Sequence, residues 1–355
     1  MQLLDLPPEL LLQIVQLSVA DPGLDFSARS EALCNYTLVC SALRGLAQRE
    51  LVRDVRIDTP SQLDSFLAFA HAIQSTTATK KARLRIGTGT LQEPDMATVL
   101  QSCPALESLH VIFRTHRPED LQALYARRPL LSSLTLPDIH FRRMENLVEI
   151  QLDCATGWPT TKIYLNPRHF PSLRALSLLD ARLFLHPSDN EGVVMLEEAL
   201  LDHLDVFIVD IEAWLRLPAP LLKKHKDKTL LSSVAATFYS SFNSLRDRLD
   251  VFPPHVLVGI PAGPEWTTAP FVHTLRSVDD LLQSHHLPQL QTVYLPPNLR
   301  EPSKRSTQIA NLQLWTTFNG RIEFADEPGA NGEPLLSHPF AKRCLAAKAQ
   351  RADEA

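Results

Sequence analysis

Pairs of large apolar residues two positions apart recur along this chain, and their spacing restricts the fold more than any other feature of the sequence. Their first members are Val55, Leu84, Leu109, Leu134, Ile150, Leu176, Leu204, Val256, Val293 and Ile322, separated by 29, 25, 25, 16, 26, 28, 52, 37 and 29 residues. Residues two apart on an extended strand share a face, so each pair reads as a short buried strand. Most separations fall near about 20 to 29 residues, the period of a unit built from one strand and its return path. Several units carry a third apolar residue three positions earlier: Leu106, Leu109, Val111; Leu131, Leu134, Leu136; Leu173, Leu176, Leu178. One unit extends further, with Leu290, Val293 and Leu295 followed by Asn298, where an asparagine would bond the turn after the strand. A unit of this size cannot bury its apolar side alone, so recurrence of the pairs points to a repeat array whose core grows lengthwise. The competing arrangement is an ordinary α/β domain whose strands are spaced by crossovers.

These units resemble degenerate leucine-rich repeats over residues 51–326, and the resemblance implies a curved solenoid with parallel strands on its concave side. The 52-residue gap after Leu204 reads as a helical insertion at about 210–252, holding Pro218, Pro220 and the basic run Lys223-Lys224-His225-Lys226-Asp227-Lys228. A run this short, interrupted by an aspartate, reads as a solvated loop rather than a ligand patch. Residues 327–355 are charged and alanine-rich toward their end, which reads as a helix fraying into a tail.

The first 50 residues have a different character. Leu3, Leu6, Leu10, Ile14 and Leu17 fall at helical spacing, with Pro7 and Pro8 at the start and Glu9 at the positive end of the helix dipole. Asn35 to Leu43 contains no charge, with Leu33, Tyr36, Cys40 and Leu43 along one side of a second helix and Leu38, Ala42 and Leu46 along another. A helix apolar on two sides needs two partners. The opening Leu6-Pro7-Pro8-Glu9-Leu10 with Ile14, together with Leu38-Val39-Cys40-Ser41-Ala42-Leu43, resembles an F-box. That resemblance implies a helical module binding the Skp-type adaptor of a cullin-RING ubiquitin ligase, with Leu6, Pro7, Pro8, Leu10, Ile14, Leu38, Val39 and Leu43 as the adaptor surface. It departs from the usual pattern in having Leu43 where a tryptophan is common and a long stretch from Ser18 to Ser30 between its helices. The alternative is a pair of helices that only caps the array of a scaffold protein.

Composition narrows the function. A net charge of −5 and a pI near 6.2 provide no field for nucleic acid or an anionic membrane, so neither partner is expected. No stretch approaches about 20 apolar residues, and Met1 runs into Gln2 and Asp5 without a basic signal region. The five cysteines include no C-x-x-C pair, which fits reduced thiols in a cytoplasmic or nuclear protein and gives no zinc motif. Nucleophile elbows, metal-ligand pairs and phosphate loops are missing. His285 and His286 would point about 100° apart on a helix, Cys40 has no Lys or His nearby in sequence, and Gly87 and Gly89 precede no lysine. A non-catalytic chain without cofactor or metal is therefore expected.

A receptor of this kind would bind its protein target with the side chains that alternate with each buried pair. That rule selects His110, Ile112, Glu149, Gln151, Asp153, Asp205, Phe207 and Tyr294 as target-binding positions, with Asp54, Arg56, Arg83 and Arg85 at the N-terminal end of the same face.

Overall fold

The computed structural model describes residues 6–19, 26–73, 78–87, 90–91, 93–114, 138–139, 143–156, 162–179, 183–184, 194–234, 250–259, 275–276, 278–280, 289–305, 307–325 and 334–353. Three helices come first: α1 (Pro8–Ser18), α2 (Phe26–Val39) and α3 (Ser41–Arg53). The uncharged stretch expected to form one helix is broken at Cys40, whose extended backbone lets its Sγ accept from the Leu43 amide at 3.4 Å and cap α3. Arg44 Nε donates to the Thr37 carbonyl at 3.1 Å, satisfying an acceptor that the end of α2 leaves open. Part of the presumed loop after Ser18 is helix, since α2 begins at Phe26. Leu11, Val15, Val19, Leu33, Leu43 and Ala47 form the core of this module, with α3 packed against both other helices.

From α3 the chain passes directly into β1 (Asp54–Ile57), the edge of a ten-stranded parallel sheet. Its other strands, in chain order, are β2 (Lys81–Gly87), β3 (Ser108–Arg114), β5 (Glu149–Thr156), β7 (Ala175–Leu179), β10 (Val206–Asp210), β11 (Thr229–Val234), β12 (His255–Gly259), β13 (Thr292–Leu295) and β14 (Arg321–Phe324). Spatial order follows chain order throughout. A second parallel sheet pairs β4 (Asp138–Ile139), β6 (Lys162–Leu165), β9 (Val194–Leu196) and β8 (Leu183–Phe184). The expected α/β class with parallel strands is observed.

Register explains why the strands recur. In β1 to β10, Val55, Ala82, Leu109, Ile150, Leu176 and Phe207 are successive partners, and in the row two residues along Leu178, Val209, Leu231, Val256, Val293 and Ile322 are successive partners. The apolar triplets Leu106-Leu109-Val111, Leu173-Leu176-Leu178 and Leu290-Val293-Leu295 are buried in one continuous core. One carbonyl before each of several strands accepts two successive amides of the next: Lys80 O from Glu107 and Ser108 at 2.8 and 3.0 Å, Glu107 O from Val148 and Glu149 at 2.8 and 3.1 Å, and Arg174 O from Asp205 and Val206 at 2.7 and 3.0 Å. This repeated bond sets the stagger of each strand on its neighbour. The connection β1–β2 carries α4 (Pro60–Ala72), started by a capping box between Thr59 and Gln62. The connection β2–β3 carries α5 (Glu93–Ser102).

Three expectations are corrected. The segment 210–252 is no helical insertion: after α7 (Ile211–Arg216) and α8 (Ala219–His225) it contains β11, a full member of the sheet. Lys228 stands where the other triplets begin with an apolar residue, and its Nζ donates to the carbonyls of Leu201 (in α6, Glu198–His203) and Leu204, at 2.8 Å for the latter. The strand pair in β10 is Phe207 and Val209, not Leu204 and Val206, because Leu204 is the leading residue of its triplet. The expected C-terminal helix is present, but its described residues are docked rather than frayed. Leu335–Ser337 form a 3-10 turn and α9 (Pro339–Asp353) packs on the sheet, with Phe340 and Ala341 fully buried. Asn298 is exposed in a 3-10 turn, and Leu131, Leu134 and Leu136 lie outside the described residues.

Candidate functional site

The helical module turns two apolar sides to different surroundings. On α1, Leu11 and Val15 face inward with Val19, whereas Pro7, Pro8, Leu10 and Leu17 are exposed, Leu10 at 43% and Leu17 at 74%. Leu38 and Val39, at the elbow between α2 and α3, are exposed at 79% and 64%. Single exposed apolar side chains are ordinary on a protein surface, and they mark a place where a partner docks only when they form one patch. Leu6 and Ile14 are half-buried, Leu6 against the module core. Leu43 is a correction: at 4% exposure it belongs to that core, since α3 lies between α1 and α2. Gln16 Nε2 donates to Glu50 Oε1 at 2.8 Å and Arg29 pairs with Asp54 at 2.8 Å, tying the module to itself and to β1.

The sheet face opposite the main core changes character along its length. From β7 onward it forms a second apolar core of Ala175, Leu179, Val206, Ile208, Leu230, Leu257, Tyr294 and Ala325, closed by Leu335, Phe340 and Ala341 of the C-terminal segment. Phe340 meets His255 and Tyr294 edge-on at ring distances of 5.1 and 6.4 Å. Polar contacts fix the segment at both ends. Glu149 Oε2 accepts from the Leu336 amide at 3.3 Å, Arg343 bonds Thr292 at 2.9 Å and pairs with Glu323, and Lys348 pairs with Asp205 at 2.5 Å.

Burial corrects most of the expected target-binding positions. Tyr294 is on the expected face but wholly buried beneath Phe340, and burial pushes its hydroxyl pKa upward. Phe207 lies in the main core, because the parity of β10 is shifted by one residue from the expected one. Glu149, Gln151 and Asp205 are buried at 5%, 5% and 7% exposure, and Ile112 is buried at 8%. Burial alone would raise the Asp205 pKa, but Lys348 and Arg174 outweigh it and hold the carboxyl below its ordinary value. Burial raises that of Glu149. His110 and Asp153 are only partly buried.

What remains is the face of β1 to β3, which the second apolar core does not include. Arg56 and Arg83 are register partners, Arg83 and His110 are the next pair, and His110 and Gln151 the next. Arg85 stands two residues along from Arg83 on the same face. Asp58 accepts from Arg56 at 3.1 Å and pairs with Arg85 at 3.4 Å. The Nε of Arg83 and both ring nitrogens of His110 are sealed from solvent with no hydrogen-bond partner. Burial, then the Arg83 charge, pushes the His110 pKa down to about 3, so its ring is neutral. The arginines were legible as positions, but their grouping required the register.

No family model matches the chain, and no curated protein matches it. Among the described residues no group of three or more His, Cys, Asp or Glu side chains could hold a metal ion, and no helix is long and apolar enough to cross a membrane. The five cysteines are free thiols. His285, His286 and Gly89 lie outside the described residues.

Proposed function

We propose that this chain is the substrate-recognition subunit of an SCF-type ubiquitin ligase, with its N-terminal helices binding a Skp-type adaptor, and through it a cullin, and its repeat array holding a protein target. One observation carries the reading: Leu10, Leu38 and Val39, which the F-box resemblance assigns to the adaptor, are exposed, while the module is sealed by other residues. Helices serving only as a cap would have no use for a second apolar side. The strands of near-regular period, in sequential parallel order, support the leucine-rich-repeat half of the reading. Such a subunit works by proximity, raising the local concentration of acceptor lysines near the charged conjugating enzyme, and needs no reactive side chain. Direct passage from α3 into β1 provides the rigid coupling this requires. The test is co-purification of the tagged chain with adaptor and cullin. Recovery of both supports the proposal, and recovery of neither removes it.

A further inference from the structure

The C-terminal segment closes one face of the sheet with a cover that fits it incompletely. Residues 334–353 reach from Glu149, which accepts from the Leu336 amide, to Thr292 and Glu323, which meet Arg343. Their apolar hold on the face is Leu335, Phe340 and Ala341, with Leu336 and Cys344 partly buried. From Lys348 to Arg351 the helix α9 is exposed, tied by Lys348 to the buried Asp205. On the covered face the hydroxyls of Ser177, Ser232 and Tyr294 and the Nδ1 of His255 are sealed from solvent without a hydrogen-bond partner. Ser177, Ser232 and His255 each stand two residues from a member of the second core, Ala175, Leu230 and Leu257, and so share its face, and Tyr294 is itself a member. Buried polar groups are ordinarily paired, and each one left unpaired costs free energy in the closed state. A cover that leaves four such groups unsatisfied closes the face less tightly than a ligand that pairs them. Joined to the last strand in one chain, the segment has an effective concentration on the order of millimolar, so a modest affinity keeps it in place.

We propose that residues 334–353 are an autoinhibitory strap that opens as a unit while the sheet stays folded, and yields its place to a partner helix carrying an aromatic anchor followed by basic residues. The strap itself defines that chemistry. Phe340 meets His255 and Tyr294, Arg343 pairs with Glu323 and lies over the Tyr294 ring at 5.6 Å, and Lys348 pairs with Asp205. Aromatic and arginine side chains are the usual anchors of a helix laid on an apolar surface. When the strap leaves, the carboxylates of Glu323 and Asp205 remain as partners for a basic helix, and the four unpaired groups offer it bonds that the strap does not make. Glu149, Asp205 and Tyr294, three of the positions that strand alternation assigned to a target, are the ones the strap contacts. A cover serving stability alone would bury more of its length and pair the groups it seals. The inference rests on the target half of the function proposed above and is independent of the adaptor half.

Hydrogen exchange of the full chain at neutral pH, read by mass spectrometry, tests the opening. The amides of Arg343 to Ala347, inside α9, are expected to exchange at least about a hundredfold faster than those of β10 to β12, because the strap opens without global unfolding. Arg343→Ala with Lys348→Ala should speed the helix about tenfold further and leave the strands unchanged. A fluorescein-labelled peptide of residues 334–353, added in trans, tests the exchange of occupants. It should bind the full-length double variant at least about tenfold more tightly than wild type, whose tethered copy competes, and the same peptide with Phe340→Ala should not bind. Should the double variant lower the melting temperature, Lys348→Gln alone replaces it, with a smaller gain in the same direction. Exchange of α9 at the rate of β10 to β12 would make the segment a permanent part of the core and overturn the proposal. Equal peptide binding by wild type and a folded variant overturns it as well. Adaptor co-purification is a separate readout, so failure of the strap and failure of the ligase reading are distinguishable.

Discussion

At the scale of single residues, the second core is held by groups whose burial makes them sensitive to size and pH. Phe340 has no exposed surface and meets His255 and Tyr294, so Phe340→Ala would leave a cavity between α9 and the sheet. A loss of about 3 to 5 kcal/mol in denaturant unfolding is expected. His255 adds a pH dependence. Burial, then Arg343, pushes its pKa down to about 4, with Asp227 acting weakly the other way. The folded state therefore resists protonating a ring that the unfolded chain protonates near 6.5. That contribution is complete above about pH 6.5 and is lost as pH falls toward 4, reaching about 2 kcal/mol by pH 5. Glu149, raised by burial, works in the opposite sense, and depressed Asp205 acts only at lower pH. Comparing unfolding of wild type and His255→Gln at pH 7.5 and 5 isolates the histidine. The wild type should lose about 2 kcal/mol more than the variant.

At the scale of elements, the strands show what their sequences could and could not reveal. In β2, Lys81, Arg83 and Arg85 alternate with buried Ala82, Leu84 and Ile86, so its faces are readable directly. In β7 and β10 every residue is buried, and alternation vanishes because both faces are covered. That loss produced the wrong parity at Phe207. It was also the signal for a covering segment, because a strand such as Val206-Phe207-Ile208-Val209 needs apolar partners on both sides. The docking of the C-terminal helix on the sheet was unrecognisable for the complementary reason: only Phe340, Ala341 and Cys344 mark its apolar stripe among many charges. The strand β11 was hidden by Lys228, whose long stem replaces the leading apolar residue and whose ammonium binds two carbonyls. Burial pushes its pKa down to about 8, against the pull of Asp202 and Asp205. Lys228→Met keeps the stem and orphans the carbonyls of Leu201 and Leu204. A loss of about 1 to 3 kcal/mol in unfolding is expected, and a variant as stable as wild type would show that water serves those carbonyls equally well.

At the scale of the whole molecule, the two surfaces are separated by the elements that join them. The exposed residues Leu10 and Leu38 contribute nothing to the module's interior, whereas Leu43, four residues beyond Val39, is part of it. Leu10→Ser with Leu38→Ser should therefore leave the melting temperature unchanged, while Leu43→Ser should lower it. If the exposed pair anchors the adaptor, the double variant should lose about 1 to 4 kcal/mol of adaptor affinity, the scale of interface anchors. The Gln16–Glu50 bond and the Arg29–Asp54 pair fix α1, α2 and α3 to each other and to β1, and neither involves Leu10 or Leu38. A double variant that folds and binds adaptor as wild type does would remove Leu10 and Leu38 from the adaptor surface.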